Sequence, residues 1–145
     1  MHTDVTGTVR VGAPPADAFI FFTPEGEKRW VAGWEPEYLH PAEGALQEGL
    51  TFRTRHGGEE TLWLASRLHA ATEVDYVRVT PGSRIGIVSI RLATAGAAAS
   101  DVTVRYRLTG LSPAGDAAVE AFAAAFDQYL RTWEHLIGAL LAGDV

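Results

Sequence analysis

The side chains that could do chemistry are few and scattered. Histidines stand at 2, 40, 56, 69 and 135, with no H-x-x-x-H pair and no His/carboxylate cluster at ligand spacing, so no metal site is expected. Cysteine is absent, which removes thiolate nucleophiles, thiolate zinc sites and disulfides together. None of Ser66, Ser83, Ser89, Ser100 and Ser112 lies in G-x-S-x-G or S-x-x-K, which disfavours covalent hydrolase chemistry. Lys28 is the only lysine and lies away from Gly57-Gly58 and Gly82, so there is no phosphate loop and no dinucleotide fingerprint. No cofactor is expected. What remains is His56, Tyr106 and Tyr129. His56 has an unperturbed pKa near neutrality and could act as a general acid or base. It also borders a Gly-Gly turn, where a solvated strand-end histidine is an ordinary occupant. The two tyrosines could present hydroxyls to a pocket, or could be core residues whose hydroxyls find a backbone partner or water. No catalytic residue is assigned from these alone.

The elements that must position these residues are legible from periodicity. Val5, Gly7, Val9 and Val11 alternate with polar neighbours as a strand with one apolar face. Pro14-Pro15 ends it, and residues 15–22 read as a short helix with Ala18, Phe19 and Phe22 inward. Thr23 can cap a second short helix that begins at Pro24, with Glu25 and Glu27 suiting its positive end and Trp30 and Val31 closing its buried side. Strands follow at 37–40, 50–56, 60–67, 72–79, 84–93 and 101–108. Gly57-Gly58 and Pro81-Gly82 mark turns, and residues 94–100 form a loop of small residues. His56 shares parity with Phe52 and Leu50, which points it inward, and Tyr106 lies on the apolar side of its strand with Val102, Val104 and Leu108. Trp63 and Ala65 alternate against Leu62 and Leu64, so parity leaves the facing of Trp63 open, and that of Trp34 is open too.

From about Asp116 to Ala142 the pattern becomes a long amphipathic helix, with Asp116 as its cap and Gly143 as its end. Val119, Phe122, Phe126, Tyr129, Trp133, Leu136 and Leu140 recur at spacings of three and four along one stripe. His135 falls on the polar side. At 1.5 Å per residue the helix is about 40 Å long, roughly the width of a domain of this size. A half-apolar antiparallel sheet must cover its inner face, and only this helix is long enough to do so. No repeat or linker is visible, and one domain over 1–145 is expected.

Composition bounds the partners. Twelve basic and eighteen acidic residues give a net charge of −6, which argues against nucleic acid, whose binders present a basic face. With 47% hydrophobic and 21% charged residues the chain has the balance of a globular domain and is too apolar for disorder. No apolar run is long enough for a membrane span, and no signal peptide is visible at the start, so a cytoplasmic location is expected. Eight glutamates between 25 and 60 read either as a solvated surface or as an acidic rim that would repel anions. Arg53, Arg55, Arg105 and Arg107 point to the convex face, where weak pairs with glutamates are open to them.

The element order β-α-α-β(6)-α resembles the helix-grip fold of the START/polyketide-cyclase superfamily (SRPBCC). The segments carrying the resemblance are Phe19-Ile20-Phe21-Phe22-Thr23-Pro24-Glu25 with Trp30, Gly33 and Trp34, then Thr80-Pro81-Gly82-Ser83-Arg84, then Leu108 to Gly115 leading into the helix with Tyr129 and Trp133-Glu134. They look like an uncharacterised bacterial branch and cover nearly the whole chain. The resemblance implies an α+β fold: a curved antiparallel sheet of about seven strands wrapped around a long C-terminal helix, with two short helices after the first strand. It also implies a cavity between helix and sheet, for which Trp34, Phe52, His56, Trp63, Tyr106, Phe122, Phe126, Tyr129 and Trp133 are candidate lining residues. Three functions are consistent with it: binding or transport of a small hydrophobic or aromatic ligand, which we favour; a polyketide cyclase or dehydratase; and a co-chaperone-like interaction domain that activates a chaperone ATPase. Fold does not choose among them. An edge strand and an apolar rim also leave a homodimer open.

Overall fold

The computed structural model describes residues 1–143. Seven strands form one antiparallel sheet: β1 (His2–Val11), β2 (Glu37–His40), β3 (Thr51–His56), β4 (Glu59–His69), β5 (Glu73–Thr80), β6 (Arg84–Thr94) and β7 (Ser100–Gly110). Their spatial order is β1-β7-β6-β5-β4-β3-β2, so the first strand returns to pair with the last. Register shifts at Tyr38/His40 and Ala65/Arg67 mark bulges, which bend a strand and sharpen its twist, and so help the sheet to curl. Helix α1 (Pro15–Ala18) and helix α2 (Pro24–Glu27) follow β1, and helix α3 (Pro113–Leu141) closes the chain. This is the helix-grip architecture.

Alternation sorts the faces. Phe52 and Thr54, Thr61, Trp63 and Ala65, Val74, Tyr76, Arg78 and Thr80, Val88 and Ile90, and Val104, Tyr106 and Leu108 fall on the concave side, by strand register and burial. Trp63 is thereby inward and its neighbours Leu62 and Leu64 are outward. The convex face is not uniformly polar: Leu62 and Leu64, Val77 and Val79, and Ile85 and Ile87 are cross-strand neighbours there. That apolar outer patch is why parity along β4 left Trp63 undecided.

Helix α3 packs against β1 and β7 rather than across the middle of the sheet. The cause is local. A Cβ on Gly7 of β1 would come within 2.5 Å of Leu130 Cδ1, so glycine is what lets the helix approach this closely. Arg10 N donates to Glu134 Oε2 at 2.7 Å, and the Arg131 guanidinium donates to the Thr8 carbonyl oxygen, fixing the helix along β1.

Three expectations need correction. The helix is capped by Ser112, whose hydroxyl accepts from Gly115 N at 3.0 Å with Pro113 in the first turn, and Asp116 instead pairs with the N-terminal amine at 3.2 Å. Its buried stripe is Val119, Phe126, Leu130, Trp133 and Ile137, whereas Leu136 and Tyr129 are exposed (37% and 43%). The stripe is rotated because the helix is seated on β1 through Leu130, which leaves the Tyr129 side turned away. The helix expected over 15–22 splits into α1 and a 3₁₀ turn, Phe19–Phe22, that buries three of its four aromatic and aliphatic side chains. A regular α-helical stripe would not turn so many inward.

Candidate functional site: a cavity beside the C-terminal helix

Because α3 sits over β1 and β7, the concave face from β3 to β6 is only partly covered. A cavity of about 370 Å³ remains there, within the lower part of the range for small-molecule pockets. Its floor is the sheet, one wall is α3 with Tyr129 and Trp133, and the opposite wall is the segment after α2 with Val31, Ala32, Gly33 and Trp34. Exposed residues mark the open side: Ala32 and Gly33 on the loop, Arg55, His56 and Glu59 at the β3–β4 hairpin.

The loop wall is held by indoles and one glycine. A Cβ on Gly26 would lie 1.7 Å from the Ile20 carbonyl oxygen, so only glycine allows α2 to fold back on the preceding turn. Thr23 caps α2 as expected, accepting from Gly26 N at 3.1 Å. Trp30 Nε1 donates to the Phe21 carbonyl at 2.9 Å and Trp34 Nε1 to the Pro24 carbonyl at 2.8 Å. Tyr38 donates to Glu25, which also pairs with Lys28. With this frame set, Glu27 points into the cavity.

The aromatic floor is ordered by stacking. Phe52 and Trp63 lie parallel with centroids 5.8 Å apart, and Trp63 Nε1 donates to Thr54 Oγ1 at 2.9 Å. Arg78, facing Trp63 across the β4–β5 ladder, lays its guanidinium over the indole at 4.8 Å. Tyr76 donates to the Phe22 carbonyl at 2.9 Å, and Trp133 packs on Trp30 with centroids 5.5 Å apart.

Two ionisable groups in this cavity have no partner of opposite charge among the described residues. Glu27 makes no ion pair among the described residues, and loss of hydration pushes its carboxyl up to about 8. By surface area it is only half-buried, because its exposed part faces the cavity. Arg78 likewise has no carboxylate within ion-pair distance among the described residues, and its buried Nε has no hydrogen-bond partner. Burial lowers its pKa from the ordinary arginine value. The Tyr106 hydroxyl is raised first by burial, and that of Tyr129, whose exposed area borders the cavity, first by loss of hydration; each also feels both Glu27 and Arg78. The two tyrosines are therefore within electrostatic reach of both charges. By contrast Arg84, also on the cavity, is held by Glu59 at 3.2 Å.

Of the nine candidate residues, seven line the cavity: Trp34, Phe52, His56, Trp63, Tyr106, Tyr129 and Trp133. Phe122 and Phe126 do not. They turn onto Tyr106, at 4.7 and 5.9 Å between centroids, and Phe126 is buried in the core near Gly7. His56 is exposed at the rim. Of the polar lining residues that sequence reading missed, Glu27 and Arg78 are the two without an ion-pair or hydrogen-bond partner among the described residues, while Thr54, Thr61, Tyr76 and Arg84 are bonded to neighbours. Arg78 carried a signal, since it shares parity with Val74, Tyr76 and Thr80 on the inward face of β5. Glu27 carried none, because its direction depends on the Gly26 contact. Of the eight glutamates between 25 and 60, four form ion pairs: Glu25 with Lys28, Glu37 and Glu60 with Arg53, and Glu59 with Arg84. Among the described residues no group of three or more His, Asp or Glu could hold a metal ion, and no helix is long and apolar enough to cross a membrane.

Comparison with known proteins places the fold. No family model matches the chain, and no curated protein matches it. Among solved structures it is similar to CalU16 from Micromonospora echinospora, with a TM-score of 0.68 at 17% identity over 98% of this chain and 76% of that one. It is similar to norcoclaurine synthase from Thalictrum flavum, solved with dopamine and hydroxybenzaldehyde, with a TM-score of 0.69 at 12% identity over 99% and 88% of the two chains. An HSP90 activator from Plasmodium falciparum matches 71% of each chain with a TM-score of 0.57 at 14% identity. The chain thus has the helix-grip fold of the polyketide cyclase-like (SRPBCC) proteins. At these identities the likeness is one of fold.

Proposed function

We propose that this protein binds a small aromatic molecule in the cavity beside α3. The observation that carries the reading is the lining: the aromatic side chains of Trp34, Phe52, Trp63 and Trp133 meet the polar groups of Glu27, Arg78, Tyr106 and Tyr129 around one space of about 370 Å³. Apolar walls with a few convergent polar groups are the usual form of a small-molecule site. Three of the four tryptophans border it, so intrinsic fluorescence reports occupancy directly. Titration with 2-naphthol should quench this emission saturably. Ala32→Trp, at an exposed position on the open side, should weaken the effect without destabilising the fold. Quenching that does not saturate, or that Ala32→Trp leaves unchanged, would count against the site.

One observation favours a second reading, an enzyme that moves a proton. Glu27 is a carboxyl raised to about 8 in a cavity that also holds three tyrosines, and such displaced acids are suited to general acid–base work near neutral pH. A polyketide-type cyclisation or dehydration would use such a group, and norcoclaurine synthase, similar in fold, was solved with two aromatic molecules, dopamine and hydroxybenzaldehyde. Turnover of a found substrate should then fall by roughly a hundredfold or more in Glu27→Gln. Retained turnover would return the site to binding alone. For the co-chaperone reading, the fold shared with the HSP90 activator is the whole support.

A further inference from the structure

The cavity's electrostatics are one-sided. Arg78 stands in the middle of the concave face, in a row that runs Phe52, Trp63, Arg78, Gly86 and Leu108 across five strands. Its stem cannot turn away from the space. On one side the guanidinium is stacked on Trp63, and on the other Gly86 has no side chain to cover it. Gly86 is itself enforced, since a Cβ there would lie 2.0 Å from the Arg107 carbonyl oxygen. Arg78 thus lines the cavity with an unpartnered, buried Nε and no carboxylate within ion-pair distance among the described residues. Arg84 does not take this role, because Glu59 already binds it through both carboxylate oxygens at 3.2 Å. Nor does Glu27 cancel the charge: the two form no ion pair among the described residues, and loss of hydration raises the Glu27 carboxyl, which favours its neutral form. A buried planar cation without a counter-ion is costly unless something supplies one, and the group that fits a guanidinium edge is a carboxylate, held by two parallel N–H···O bonds.

We propose that the ligand of this cavity is an aromatic carboxylate, its carboxylate on Arg78 and its ring between Trp63, Tyr106 and Tyr129. This rests on the binding reading above and names the class of ligand. The chain's net charge of −6 does not oppose it, because surface charges more than about 8–10 Å away are largely screened at physiological salt. The Tyr106 and Tyr129 hydroxyls remain to donate hydrogen bonds to oxygen substituents on the ring.

A matched pair of probes tests the inference: 2-naphthoate and 2-naphthamide, alike in shape and different in charge, titrated by tryptophan fluorescence near neutral pH. The wild-type protein should bind the carboxylate roughly tenfold or more tightly than the amide, the scale of a charge-assisted pair of hydrogen bonds. Arg78→Gln should bring that ratio to about one, and Arg78→Lys, which keeps the charge but loses the planar fork, should fall between. An amide that binds as tightly as the carboxylate overturns the carboxylate inference while leaving the binding reading intact. A preference that survives in Arg78→Gln overturns the role of Arg78. If 2-naphthoate, 2-naphthamide and 2-naphthol all fail to bind, the binding reading itself falls. The wild-type ratio decides the matter even if Arg78→Gln does not fold.

Discussion

The most consequential thermodynamic expectation concerns Glu27. Its carboxyl has an ordinary value of 4.5 in the unfolded chain and is pushed up to about 8 in the fold, through desolvation. Between these values the folded protein holds a proton that the unfolded chain has lost. Stability therefore falls as pH rises through this window, and above it the loss is complete. A shift of this size in a dry site corresponds to roughly 5 kcal/mol at about 1.4 kcal/mol per pKa unit. Glu27 faces a cavity rather than packed protein, and water in that space reduces the figure to about 2–4 kcal/mol. Glu27→Gln is a neutral isostere of the protonated acid and removes the titration. Urea unfolding of both proteins should give near-equal stabilities at about pH 4. The variant should gain steadily through neutral pH and lead by about 2–4 kcal/mol at about pH 9. Other titrating groups are common to both proteins and cancel in the difference. A difference that stays flat across this range would show that Glu27 is well hydrated and would remove the basis for giving it an acid–base role.

Three further outcomes follow from the packing. Ser112→Ala should cost about 1 kcal/mol in thermal or urea unfolding as a lost helix cap, whereas Asp116→Ala should cost less, since it breaks only an exposed ion pair; equal costs would return the cap to Asp116. Gly7→Val should destabilise by about 1–3 kcal/mol because its side chain would enter the space of Leu130, and a neutral result would mean that the helix is not pressed against β1 there. Tyr76→Phe should cost about 1–2 kcal/mol by leaving the Phe22 carbonyl unpaired; no measurable loss in urea unfolding would mean that this carbonyl finds water.

Much of the architecture could be read in advance because alternation and turn chemistry are local. The strand through Val102, Val104, Tyr106 and Leu108 has one apolar face whatever surrounds it, and Thr23-Pro24 carries a cap and a first helical residue side by side. The helix stripe was readable only to within a rotation. Phe122 and Leu136 are as apolar as Leu130 and Ile137, and what selects between them is the missing side chain of Gly7 on a distant strand. The site was legible where it is aromatic and illegible where it is charged. Trp63, Tyr106 and Tyr129 declare themselves by type. Arg78 could have been found by its parity with Tyr76, since an arginine on an inward strand face asks for a partner. Glu27 looked like any acid in the first turn of a helix, and only the close contact of Gly26 with Ile20 turns it inward.

The central claim is that the space beside α3 receives an aromatic molecule. A crystal structure of the protein grown with saturating 2-naphthol tests it most directly. Ring density is expected within the cavity, between Trp63 and Tyr129. Ring density only outside the cavity, or a cavity closed by inward movement of Tyr129 and Trp34, would contradict it.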